Sequence, residues 1–167
     1  MPHSDSENCL CYTKIKGVGM KIFLGGDHNG FERKKELAEY LRRSGYEVID
    51  EGDKNLEPED DFPQFASRVV NAMRAEGEDA RGILICGSGQ GMCMAANRFK
   101  GIRAALASDQ EEARSARNDD DSNILCVSSR YLDFDTTVGI VHTWLITPFA
   151  GASRFKRRIA QLDDLGM

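Results

Sequence analysis

The sequence predicts an α/β fold, a doubly wound, Rossmann-like five-stranded parallel sheet with helices on both faces. Three observations carry this. Short apolar runs alternate with helix-patterned segments from Lys21 almost to the C-terminus. The run Gly82-Ile83-Leu84-Ile85-Cys86 is apolar throughout, as in a strand covered on both faces of a parallel sheet. Glycine-rich turns follow the first and third apolar runs, where α/β sheets carry their ligand sites. Parallel strands joined through helices imply right-handed crossovers.

Residues 1–19 are polar and aperiodic, the pattern of a disordered extension or a cloning remnant, and a single domain is expected over 20–167. KIFLGG is the first strand. Phe31 to Arg43 forms an amphipathic helix with Phe31, Leu37 and Leu41 on its apolar side, stopped by Ser44-Gly45. YEVID is the second strand, EGDKNLEPEDDFP a polar acidic loop, and Gln64 to Arg74 a helix. After GILIC, the turn GSGQG leads into a helix over Met92–Phe99. IRAALA is the fourth strand. Ser108-Asp109-Gln110-Glu111 has the pattern of a capping box at the start of another helix. NILCVSS is the fifth strand, and Thr136 to Leu145 and Ser153 to Leu165 are two closing helices.

Composition narrows the function class. The chain has 167 residues, 41% hydrophobic and 29% charged, which suits one domain with a real core. No apolar run reaches the roughly 20 residues of a membrane span, and the first residues lack the basic start and apolar stretch of a secretory signal, so a cytoplasmic protein is expected. A net charge of -5 argues against a broad nucleic-acid footprint. Five cysteines, an odd number without repeating spacing, read as reduced thiols. Cys9 and Cys11 lack the further ligands that a zinc site needs.

The chemistry concentrates at strand ends. Three segments are singled out as strand-end sites: Gly25–His28, Cys86–Gly91 and Arg117–Ser122 before the fifth strand. In Gly87-Ser88-Gly89-Gln90-Gly91, three glycines in five positions let backbone N–H groups converge ahead of a helix, which suits a phosphate or an oxyanion. The same glycines would also serve a tight packing turn. Cys86 faces that helix start, where a thiolate is favoured and could act as base or nucleophile; a plain core cysteine fits the same position. Cys93 and Cys126 read as packing thiols. Asp27-His28 pairs a carboxylate with an imidazole that titrates near neutrality. Of the other histidines, His142 beside Trp144 reads as structural and His3 lies in the extension. Arg154 and Arg158, four residues apart, share a helical face and could grip a phosphate or simply be solvated.

Taken together, GGDHNGFERKKELAEYL, ILICGSGQGMCMAAN, GIRAAL and the Arg154/Arg158 pair resemble the type B ribose-5-phosphate isomerases and their galactose-6-phosphate isomerase relatives, from Lys21 to about Arg158. The resemblance implies aldose–ketose isomerisation of a sugar phosphate by proton transfer through a cis-enediolate, with no metal and no organic cofactor. It implies Cys86 as the base that moves the proton between C2 and C1, Ser88 as its hydroxyl partner, and the amides of Gly87, Gly89 and Gly91 as holders of the enediolate oxygen. Asp27 and His28 match a pair that contacts the sugar or its phosphate. Arg130, Arg154 and Arg158 match family arginines around the site, and Asn97 matches a residue that shapes loop and helix packing. A homodimer or dimer of dimers with sites between subunits is implied, without nucleic acid or membrane.

Three departures accompany the match. Asp119-Asp120 stands where many members carry His-Asn, the histidine being implicated in opening the furanose ring. Phe155 replaces a histidine in the phosphate-binding helix, and Phe62 replaces a tyrosine. Either His28 or a water then opens the ring of ribose 5-phosphate, or the substrate is another sugar phosphate, such as a tetrose or hexose phosphate. Asp119 remains a candidate catalytic group and Asp120 a substrate contact. A non-catalytic sugar-phosphate-binding protein is the competing class, and divalent metal on Asp119–Asp121 a third reading.

Overall fold

The structure, a computed structural model, describes residues 20–165. The readings made for residues 1–19, with His3, Cys9 and Cys11, lie outside the described residues. Five parallel strands form one sheet: β1 (Lys21–Gly26), β2 (Glu47–Asp50), β3 (Arg81–Cys86), β4 (Ala104–Leu106) and β5 (Ile124–Ser128). Their spatial order is β2-β1-β3-β5-β4. Six helices accompany them: α1 (Phe31–Arg43), α2 (Phe62–Glu76), α3 (Gln90–Ala96), α4 (Gln110–Asn118), α5 (Phe134–Ile146) and α6 (Ser153–Asp164). None is long and apolar enough to cross a membrane.

Side-chain alternation along the strands builds two cores. Ile83 and Ile85 of β3 join Ile22, Leu24, Leu125 and Val127 under α1, α4 and α5. Leu84 and Cys86 of the same strand join Phe23, Ile124 and Cys126 under α2 and α3. That is why GILIC is apolar at successive positions. On α1 the buried face also holds Lys34, only 1% exposed, whose ammonium reaches Asp50 Oδ1 at 2.9 Å and the carbonyl of Asp53. This tie clamps the start of the acidic loop, which extends the β1 pairing through Glu51 N–H to the Leu24 carbonyl and Asp53 N–H to that of Gly26.

Several expected boundaries shift for local reasons. α2 starts at Phe62, with Pro63 in its first turn, where a missing N–H is harmless. The helix expected over Met92–Phe99 runs over Gln90–Ala96, because Asn97 caps it and turns replace its last residues. The Asn97 side chain brackets Ala104 of edge strand β4, accepting from its N–H and donating to its carbonyl, each at 2.8 Å. β4 is three residues, shorter than the expected IRAALA. The cap of α4 lies one residue beyond the expected box: Asp109 Oδ1 accepts from Glu112 N–H at 2.8 Å, while the Glu112 carboxylate reaches back to Ser108. α6 stands apart, with Phe155 its one buried side chain among the described residues.

Candidate active site

The carboxyl ends of β1, β3 and β5 bring three loops together. At the end of β1, Asp27 is buried and its Oδ1 accepts the Gly30 N–H at 3.0 Å, folding the loop onto α1. Gly30 has no side chain because none fits: a Cβ there would lie 2.2 Å from the Ile85 carbonyl oxygen. The close approach seats the β1 loop directly against β3. Burial pushes the Asp27 carboxyl above its ordinary range, with the neighbouring Asp60 adding to the rise, against the pull of the Gly30 N–H.

His28 follows, with Nδ1 at 2.5 Å from Asp60 Oδ1 and Nε2 at 2.8 Å from the Asn29 amide nitrogen. The hydrogen bond to Asp60 raises the imidazole above its usual pKa. Asp60 comes from the acidic loop and its side chain is 4% exposed. In the sequence that loop reads only as polar and acidic. A carboxylate two residues ahead of the α2 start was the one available signal that it returns to the sheet.

After β3, Cys86 is 5% exposed and its Sγ accepts the Gly89 N–H at 3.2 Å. Gly89 achieves this with φ of 80°, the left-handed conformation glycine adopts without cost, and a Cβ there would strike Leu106. The Ser88 hydroxyl accepts the Gln90 N–H at 3.3 Å. Two amides of the loop are therefore already engaged within it. α3 has only seven residues, so Cys86 meets individual N–H groups rather than the field of a long helix.

The β5 end completes this half of the site. Ser128 Oγ donates to the Gly87 carbonyl at 2.6 Å, and Arg130 N–H donates to the same oxygen at 3.1 Å. The Arg130 guanidinium passes over Gly87, 3.2 Å from where its Cβ would be, with the Asn29 side chain next nearest. Ser129 Oγ donates to the Asn29 carbonyl at 2.8 Å, locking the β1 and β5 loops together. The ring of Phe62 lies 2.9 Å from where a Cβ of Gly91 would be, covering the glycine loop from the α2 side. Asp27, His28, Cys86, Gly87, Ser88, Gly89, Gly91 and Arg130 are thus gathered at one edge, with Asp60 and Asn29 as members that the sequence did not single out.

The other expected residues lie elsewhere. The Arg117–Ser122 segment sits at the amino end of β5, and so not with the strand-end sites among which it was placed; a five-residue strand at ~3.3 Å per residue separates the two edges by about 16 Å. Asp119 caps the C-terminus of α4, with Oδ1 accepting from the Asn118 amide at 2.7 Å. Asp120 lines a cavity of about 640 Å³ together with Arg98, Lys100, Arg103 and Leu162. Asp121 is held by Arg103 at 3.1 Å and Arg117 at 2.7 Å. The Ala150 N–H donates to the Asn118 carbonyl, which brings the approach to α6 beside Asp119. Arg154 and Arg158 project from the exposed start of α6, and Arg154 lies 4.4 Å over the Phe155 ring. Phe155 explains its own departure, since it anchors α6 to the body.

Cys126 is fully buried, and burial pushes its thiol well above the usual range; Cys93 hydrogen-bonds with it, so both are packing thiols. His142 is half-buried on α5, and Trp144 donates to Ser122 Oγ at 2.8 Å. Among the described residues, Asp27, His28 and Asp60 form the one group whose ligand-type atoms could share an ion. Two of those atoms already face one another across the His28–Asp60 contact and Asp27 Oδ1 holds Gly30, so the group is a hydrogen-bonded network as it stands.

The arrangement gathers a shielded thiol, a hydroxyl, backbone amides and an imidazole at one edge of the sheet. The chain as a whole is similar to known proteins. The family model described as Ribose/Galactose Isomerase matches residues 22–162. Ribose-5-phosphate isomerase B of Escherichia coli K12 is 41% identical over 145 residues, covering 87% of this chain and 95% of that protein. The crystal structure of ribose-5-phosphate isomerase B from Mycoplasma genitalium with bound ribulose-5-phosphate superposes with a TM-score of 0.83 at 38% identity, over 87% of this chain and 95% of that one. The Clostridium thermocellum ribose-5-phosphate isomerase B structure gives 0.82 at 41% identity, over 86% and 95%.

Proposed function

The chain belongs to the ribose/galactose isomerase family, and from that premise we propose that its 20–167 domain interconverts ribose 5-phosphate and ribulose 5-phosphate in the cytoplasm, where a charged sugar phosphate is retained. It is an aldose–ketose isomerase of sugar phosphates. The observation that carries the detailed reading is the Gly89 N–H on Cys86 Sγ at the mouth of the glycine loop.

The open-chain aldose binds with C2 toward Cys86. The thiolate takes the C2 proton, the electrons move into a C1–C2 double bond, and negative charge develops on O1. The loop amides would hold that oxygen, those of Gly89 and Gln90 being engaged inside the loop as it stands. The O2 proton passes to O1, and as the C2 carbonyl forms the same thiol delivers its proton to C1, leaving the ketose. No oxidant or metal enters the balance. Asp27 and Arg130 border the sugar, and Ser88 steadies the thiolate.

Phosphate grip requires the second half-site. Asp119 and Asp120 lie at the amino edge, and the Ala150–Asn118 hydrogen bond brings the approach to α6, which carries Arg154 and Arg158, beside them, away from Cys86 of the same chain. A homodimer in which each chain offers its amino edge to the other's carboxyl edge would join them. Exposed apolar side chains at the carboxyl edge, Met94, Leu106 and Tyr131, support this reading, as do Leu162 on α6 and Leu165 just after it.

Incubating the protein with ribose 5-phosphate in D₂O tests the proposal. Proton NMR should show deuterium entering C2 together with ribulose 5-phosphate. Exchange confined to a tetrose or hexose phosphate would instead assign the altered positions Asp119, Phe62 and Phe155 to a changed substrate. Binding without exchange on any of them would leave a sugar-phosphate-binding protein.

A further inference from the structure

We propose that Asp60 is the positioning residue that fixes His28 as the acid–base group opening the furanose ring, inside the half-site that carries Cys86. The inference rests on the pentose-phosphate isomerase reading and adds to it a residue and a step. Ring opening needs one group that accepts the anomeric proton and returns it to the ring oxygen. Asp119 occupies the α4 C-cap at the amino edge of the sheet, its Oδ1 bonded to the Asn118 amide, away from Cys86 of the same chain. His28 is the histidine that shares an edge with the thiol.

Asp60 determines what that histidine can do. Its Oδ1 is 2.5 Å from Nδ1, so Nδ1 carries the proton and donates it, and Nε2 is left as the working atom. The Asn29 amide nitrogen lies 2.8 Å from Nε2, a donor on the lone pair of that tautomer. Asn29 is exposed and a sugar hydroxyl can take its place. The other Asp60 oxygen, Oδ2, is buried with no hydrogen-bond partner. A carboxylate left so poorly solvated holds Nδ1–H at Oδ1 and stabilises the positive charge that the ring gains when Nε2 takes a proton. The charged groups around His28 are Asp27 on its own loop, Asp60 from the loop before α2, and Arg130 from the loop after β5, which reaches Asn29 through Gly87. The hydrogen bond to Asp60 and the charges of Asp60 and Asp27 raise the imidazole.

The step balances. Nε2 takes the O1 proton of the hemiacetal as the C1 carbonyl forms. The C1–O4 bond breaks, its electron pair goes to O4, and O4 receives the proton from Nε2. Asp60 Oδ1 keeps its hydrogen bond to Nδ1–H throughout and faces the transient imidazolium.

The experiment combines NMR titration of His28 in the free protein with kinetics of Asp60→Asn, His28→Gln and the double variant. In Asp60→Asn the His28 pKa should fall toward its ordinary value of about 6.5. Its kcat on ribose 5-phosphate should fall about tenfold to hundredfold, with the acidic limb of the pH profile moved to lower pH. A tetrose 4-phosphate cannot close a furanose through its phosphorylated oxygen, and the loss on it should be at least tenfold smaller. Adding Asp60→Asn to His28→Gln should cost nothing further. An unmoved His28 titration, equal losses on the two sugars, or additive losses in the double variant would each overturn the proposal. Wild-type protein that isomerises neither sugar overturns the isomerase reading itself, before any variant is made.

Discussion

Single residues at the carboxyl edge carry distinguishable tasks. Removing the thiol in Cys86→Ala should lower C2 exchange about 10²–10⁴-fold while sugar-phosphate binding measured by calorimetry persists, because a general base contributes to the barrier and little to the ground state. The His28–Asp60 pair also links stability to pH. Its folded pKa is raised, so its stabilising contribution is fully present below about pH 6.5 and is lost as pH rises through the higher folded value. Urea unfolding below and above that window should show this fall in the wild type and a flatter profile in Asp60→Asn. Cys86, Ser88 and His28 were legible as strand-end residues beside glycines. Asp60 was not, because an aspartate in an acidic loop looks the same in sequence whether it faces solvent or a buried imidazole.

At the scale of elements, close approaches and caps hold the site loops. Gly30→Ala should destabilise by about 1–3 kcal/mol in chemical denaturation, since the new methyl meets the Ile85 carbonyl of the central strand and one of the two must shift. Asp109→Ala removes the α4 cap at Glu112 N–H and should cost about 0.5–2 kcal/mol, without changing the chemistry at Cys86. Helix existence followed from periodicity, and the displaced ends followed from side chains that bond backbone, as Asn97 does at α3 and Glu112 at α4. Lys34 shows the limit of periodicity: a lysine on the apolar face of α1 is buried because Asp50 and the Asp53 carbonyl, both distant in sequence, meet its ammonium.

At the scale of the whole molecule, the expected site residues divide between two edges of the sheet, and the proposed homodimer has a distinctive consequence. Cys86→Ala protein mixed with an Arg154→Ala/Arg158→Ala variant, after dissociation and reassociation, should regain up to about a quarter of wild-type activity. Half of the chains then pair as heterodimers, each with one intact composite site, an arithmetic of random twofold pairing. Mixtures no more active than their parts would show that Cys86 and the arginines do not serve one site across two chains.

The sequence by itself determined the five-strand α/β architecture, the glycine loop with Cys86 and Ser88, and the Asp27-His28 turn, because strand and helix periods and glycine turns are local properties. Only the tertiary structure decided the strand order, the burial of Lys34, the partnership of Asp60 with His28 and the separation of Asp119, Asp120, Arg154 and Arg158 from the thiol. Those features depend on which segments meet across the sheet and at which end. Packing between residues far apart in the chain settles that, and no local pattern encodes it.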